Sequence, residues 1–152
     1  MFRFIMMLIL LLPALASAGD QDVIGYVKTV SGSAFVIDSG KSVRAVPGTP
    51  IKMGNTLKTS PKGSMGVTFK DNTVMSFGPD TVLTVDEYLY APGKDNLKFG
   101  TTASRGSIEV VSGVIARLKP NSVRMKTPTG TIGIRGTRYL VKVEPQDGGE
   151  KP

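Results

Sequence analysis

The sequence predicts an all-β domain of short antiparallel strands, arranged as a twisted sandwich, a roll or a solenoid-like stack. Three observations predict it. Apolar residues recur at alternate positions in many short runs, Val, Thr and aromatic residues fill those runs, and Gly, Pro, Asn or Asp interrupts them at short intervals. No stretch shows the spacing that a sustained amphipathic helix requires.

The chain opens on a segment of different character. In "MFRFIMMLILLLPALASAGD", Arg3 precedes an apolar run over residues 4–12, and Pro13 breaks it. Ala16 and Ala18 then offer the small side chains that signal peptidase accepts. The run is shorter than the ~20 residues of a spanning helix. A signal peptide over residues 1–18, cleaved after Ala18, is therefore expected. The mature protein would be periplasmic and not membrane-spanning. The 152-residue chain contains no Cys, so its core must hold an exported fold without disulfides. Residues 19–143 read as one β domain.

Within that domain the elements follow from period two and turn chemistry. "VPGTP" and "KMGN", near Val46 and Gly54, are turns between early strands. In "SMGVTFK", Met65, Val67 and Phe69 share one face, and Ser64, Gly66, Thr68 and Lys70 share the other. Asp71 and Asn72 tolerate positive φ, so residues 67–70 and 73–77 should form a hairpin. "GPDT" at 78–81 and "KPNS" at 119–122 are further turns, with Pro fixing φ and the Asx side chain capping the backbone. Tyr88 and Tyr90 share a face of "DEYLY" and read as strand residues with hydrated hydroxyls. "YAPGKDNL", residues 90–97, is the candidate for a longer surface loop. "SVRMKT" alternates Val123 and Met125 with Arg124 and Lys126, and "TRYLVKV" alternates Tyr139, Val141 and Val143 with Arg138, Leu140 and Lys142. The polar tail, residues 144–152, is expected to be disordered.

Two patterns cut across this order. "GYVKTVSG" at 25–32 matches "GSIEVVSG" at 106–113, and "KTSPKGSMGV" from Lys58 matches "KTPTGTIGI" from Lys126 if one residue is skipped. Two related halves would explain both matches. In "TPTGTIGIRGTRYLVKV", Gly130, Gly133 and Gly136 form G-x-x-G-x-x-G, which is neither a dinucleotide fingerprint nor a phosphate loop. No helical pattern follows to meet an anion. These glycines are expected to mark bulges or close backbone approaches.

Composition excludes much chemistry. Without His or Cys there is no Ser-His-Asp triad, no thiol nucleophile and no His/Cys zinc site. The spacing Ser-x-x-Lys is absent, and the only adjacent acids, Asp86 and Glu87, would point to opposite faces of a strand. No catalytic residue, metal or cofactor is expected. From Val110 to Val143, however, stand seven basic residues and no acid: Arg117, Lys119, Arg124, Lys126, Arg135, Arg138 and Lys142. If the strands holding Arg124/Lys126 and Arg138/Lys142 are neighbours, their cations line one side of a sheet and form a candidate ligand or partner face. Nucleic acid is not expected, because aromatic residues are not interleaved with these cations as stacking platforms.

The stretch "GNTLKTSPKGSMGVTFKDNTVMSFGPDTVLTV", followed by "RGSIEVVSG" and "RMKTPTGTIGIRGTRYLVKV", resembles the FecR domain family. That domain is the periplasmic region of transducers that report iron-citrate uptake to sigma factors. The resemblance covers residues 43–143. Its most specific parts are Gly-Asn-Thr-Leu-Lys-Thr at 54–59 and the Thr-Pro-x-Gly-Thr…Gly-Thr-x-aromatic-x-Val pattern within 127–143. It implies the β fold and the periplasmic setting, and it supplies no catalytic residues. The transducers carry an anti-sigma region and a spanning helix before this domain, where a signal peptide is expected here, so their signalling output is not implied. The expected function is a non-enzymatic binding or scaffold module that engages a periplasmic or membrane protein partner. The alternative is a binder of anionic lipopolysaccharide or cell-wall polysaccharide through the basic face.

Overall fold

The computed structural model describes residues 22–145. The expected signal peptide and residues 146–152 of the expected tail lie outside the described residues. The fold is all-β: among the described residues twelve strands form one continuous sheet curled into a half-barrel, accompanied by one five-residue helix. One leaf runs β4 (Pro50–Lys52), β1 (Val23–Ser31), β6 (Ser64–Phe69) and β7 (Val74–Phe77). The other runs β3 (Lys41–Arg44), β2 (Ala34–Asp38), β5 (Thr56–Thr59) and β8 (Val82–Ala91). The long β9 (Asn96–Val111) joins them, pairing β8 with its first half and β7 with its second. No helix among the described residues is long and apolar enough to cross a membrane.

β6 and β7 form the expected hairpin, turning at Asn72 with φ +68°. The "GPDT" turn that follows does not reverse the chain. β7 and β8 run in the same direction along β9, with Val74–Phe77 opposite Val111–Ile108 and Val82 opposite Arg105. Between them the ribbon bends from one leaf to the other. The bend is fastened by two threonines rather than by the expected Asp side-chain cap. The Thr59 hydroxyl donates to the Gly78 carbonyl (2.7 Å) and accepts from the Thr81 N–H (2.9 Å). The Thr81 hydroxyl donates to the same carbonyl (2.9 Å) and accepts from the Ser107 N–H (3.1 Å). On β9 the bend falls at Gly106, with φ +96°.

The expected loop over residues 90–97 is shorter than its composition suggested. Pairing continues to Ala91 opposite Asn96, and a single 3-10 turn, Pro92–Lys94, closes the ribbon with Asp95 at φ +56°. A bulge between Val85 and Glu87 also changes the reading of the adjacent acids. The extra residue leaves Asp86 and Glu87 both exposed on the outer side. There each has a cross-strand partner, Thr102 for Asp86 (2.6 Å) and Lys98 for Glu87 (3.7 Å).

Alternation fills the core as predicted. Met65, Val67 and Phe69 point inward with Leu57, Leu83, Val85 and Ile108. Tyr88 joins them, which corrects the expectation of a hydrated hydroxyl. Its ring packs against Phe69 and Phe99 at centroid distances of 5.7 and 5.0 Å, and its hydroxyl is spent inside on Asp71. Asp71 is wholly buried and ties the hairpin turn to α1 (Val114–Leu118), whose Ile115 is fully buried in the core.

The two similar sequence segments correspond only in part. Val27 and Ile108 are equivalent core positions in one leaf. Downstream the pairings diverge: β5 and β6 lie in different leaves, whereas the matching segments after Lys126 form one hairpin.

Candidate binding surface

The C-terminal third of the domain builds the surface that sequence singled out. β10 (Val123–Thr127) runs parallel to the first half of β9, an exception to the antiparallel expectation. β11 (Gly130–Gly133) folds back antiparallel on β10. β12 (Arg138–Val143) then pairs antiparallel with the second half of β9. Period two fixes the side chains: Val123 and Met125 are buried, while Arg124 and Lys126 face water.

The seven basic residues do not form one stripe. β10 and β12 are not paired with each other; they lie along different halves of β9, in different leaves. Arg138 is bonded to Glu109 on β9, and Lys142 stands 3.9 Å from Glu144. Lys119 is 3.9 Å from Asp95. Arg117 is exposed in the last turn of α1. Arg124, Lys126 and Arg135 are exposed and form no ion pair with any described acid.

The structure does bring Arg124 and Arg135 together. Both line a hollow of about 590 Å³ with Asn121, Thr131 and Gly133. Arg124 also borders a second hollow of about 500 Å³, whose Lys98 and Lys119 are countered there by Glu87 and Asp95. A third, of about 490 Å³, separates the β10–β11 hairpin from the end of β12. The hollow lined by Arg124 and Arg135 therefore offers two cations with neighbouring amide and hydroxyl groups and no acid, a set suited to holding carboxylates or phosphates by charge-assisted hydrogen bonds. Among the described residues no group of three His, Cys, Asp or Glu could hold a metal ion.

Sequence reasoning missed Asn121 and Thr131, which carry no charge to mark them. The three glycines of the G-x-x-G-x-x-G stretch also depart from expectation. A Cβ at Gly130, Gly133 or Gly136 would meet nothing within 4 Å, so none marks a close backbone approach, although Gly136 holds φ +152°. The close approaches lie elsewhere, at Gly106 and Gly113 among others.

A family model described as FecR protein matches residues 55–150 of the chain, β5 through β12 included. No curated protein and no solved structure matches it significantly. The strands before residue 55 belong to the same sheet, with β1 paired to β6 and β2 to β5.

Proposed function

The chain belongs to the FecR protein family, and from that premise we propose that it is a non-enzymatic binding module of the periplasm that engages a protein partner. One observation supports this reading most. Within the matched residues, Arg124, Lys126 and Arg135 have no described acid as partner, while Arg138 and Lys119 do. Fixed positive charge without an internal counter-ion favours an anionic partner and steers its approach.

Photo-crosslinking in cells tests it, with a benzophenone amino acid placed in turn at Thr131, Leu140 and Val43. A discrete protein adduct from at least one position is expected. No adduct from any of them would remove the partner reading.

The second reading, a binder of anionic envelope polymer, draws on the same hollow lined by Arg124 and Arg135. The double substitution Arg124→Glu and Arg135→Glu should weaken retention on lipopolysaccharide or cell-wall glycan by about tenfold or more at low salt. Unchanged retention, or retention indifferent to salt, would dismiss this second reading.

A further inference from the structure

Among the described residues four strands, β3, β4, β11 and β12, have one partner strand each, and three of these four edges are defended. Edge strands present unpaired N–H and C=O groups that recruit other chains, and charged residues or Pro normally block them. β3 carries Lys41 and Arg44, β4 carries Pro50 and Lys52, and β12 carries Arg138 and Lys142. β11, with the sequence Gly-Thr-Ile-Gly, carries neither charge nor Pro, and all four residues are exposed. Among the described residues it pairs only with β10, which leaves its other edge open.

The register shows what that edge offers. Thr127 and Gly130 close the hairpin opposite each other, followed by Lys126 opposite Thr131, Met125 opposite Ile132 and Arg124 opposite Gly133. Antiparallel pairs alternate between hydrogen-bonded and non-bonded, and the closing pair of a two-residue loop is bonded. The N–H and C=O groups of Thr131 and Gly133 therefore point to the open edge. On the solvent face these same residues lie beside Lys126 and Arg124, and the space where a Gly133 side chain would stand is empty. The Arg124 guanidinium can cross that space toward the edge. On the other face Ile132 remains 37% exposed, an apolar position with room for a neighbour.

We propose that β11 accepts an extended segment of a partner protein as an added strand, and that this segment alternates acidic with apolar residues. The backbone amides of Thr131 and Gly133 supply the ladder, Arg124, Lys126 and Arg135 meet the acids, and Ile132 meets an apolar side chain. A second copy of this chain is the wrong occupant, because pairing β11 with itself would set those three cations against their own copies. This proposal rests on the partner reading above and gives that partner a docking surface and a chemistry.

The test uses residues 19–152, the chain expected after cleavage at Ala18, and a fluorescent heptapeptide of alternating Val and Asp. Binding should slow amide exchange at Thr131 and Gly133. It should weaken about tenfold or more when alternate peptide amides are N-methylated, and by a similar factor in the Arg124→Glu/Arg135→Glu protein. Thr131→Pro should do the same, since Pro at an outward-facing edge position leaves the fold in place. A methylated peptide that binds equally well, or protection confined to other strands, would overturn the proposal. So would protection of Thr131 and Gly133 in the free chain that disappears when residues 146–152 are removed, or a concentration-dependent dimer protected at the same amides. Crosslinks from Leu140 or Val43 without any from Thr131 would sink the edge proposal and leave the partner reading standing.

Discussion

Gly106→Ala is expected to leave little folded protein. Two costs combine at this position. The backbone holds φ +96°, a conformation L side chains rarely adopt. An added Cβ would also fall 2.2 Å from the Thr81 hydroxyl oxygen and 2.4 Å from the Thr81 Cα. The clash cannot be relieved by a rotamer change, because the nearer carbon belongs to the backbone. That backbone is fastened in turn by Thr59 through the Gly78 carbonyl and the Thr81 N–H. Any shift large enough to admit a methyl group breaks this set of bonds and opens the bend at which the ribbon passes between leaves. We expect a loss of about 4 kcal/mol or more, a large share of the roughly 5–15 kcal/mol that holds such a domain together. Urea denaturation checks it, with Gly93→Ala as control, where a Cβ meets nothing within 4 Å. The control should change stability by less than about 1 kcal/mol. A Gly106→Ala protein with a wild-type midpoint would show that the bend yields freely and that the two leaves do not depend on it.

This bend also marks how far the sequence could be read. Period two is a local signal, so the inward residues of β6, β10 and β12 were legible position by position. The hairpin turn at Asp71–Asn72 was legible for the same reason. What escaped was anything decided between distant strands. "GPDT" contains good reversal chemistry, yet it bends the ribbon without reversing it, because Thr59, 19 residues from Gly78, captures that carbonyl. The site fared similarly. That Arg124 and Lys126 face water follows from alternation, but whether they neighbour Arg138 and Lys142 depends on β10 and β12 lying along different halves of β9. The density of glycines in the β11 hairpin suggests crowding, yet the nearest strand lies on one side only. Their openness is a property of the edge, and a single sequence does not say which strand stands last.

Asp71→Asn should destabilise the domain by about 3 kcal/mol, lowering the thermal midpoint by roughly 10 °C. The Asp71 carboxylate is wholly buried and accepts four hydrogen bonds, two on each oxygen. Tyr88 Oη (3.0 Å) and the Thr73 N–H (3.2 Å) serve Oδ1, and the Thr73 hydroxyl (2.8 Å) and the Ile115 N–H (3.3 Å) serve Oδ2. An amide presents one acceptor and one donor, so one pair of donors would face an NH₂ group. α1, held to the hairpin turn through Ile115, should loosen with it. Tyr88→Phe removes one of the four bonds and leaves the Asp71 N–H, which now donates to Tyr88 Oη at 2.9 Å, without a partner. It should cost about 2 kcal/mol, and the double substitution should cost less than the sum by about 1 kcal/mol or more, because both act on one network. Additive losses would separate the two residues. The same pair sets an alkaline limit. Burial first, and the neighbouring Asp71 charge second, hold the Tyr88 phenol well above its ordinary value of 10.0. The unfolded chain therefore releases this proton near pH 10 while the folded chain retains it. Stability present below that pH should fall as pH rises beyond it, by about 1.4 kcal/mol per unit for this residue. Over that range Tyr88→Phe should show a correspondingly flatter decline than the parent, and parallel curves would mean that the phenol ionises inside the intact fold.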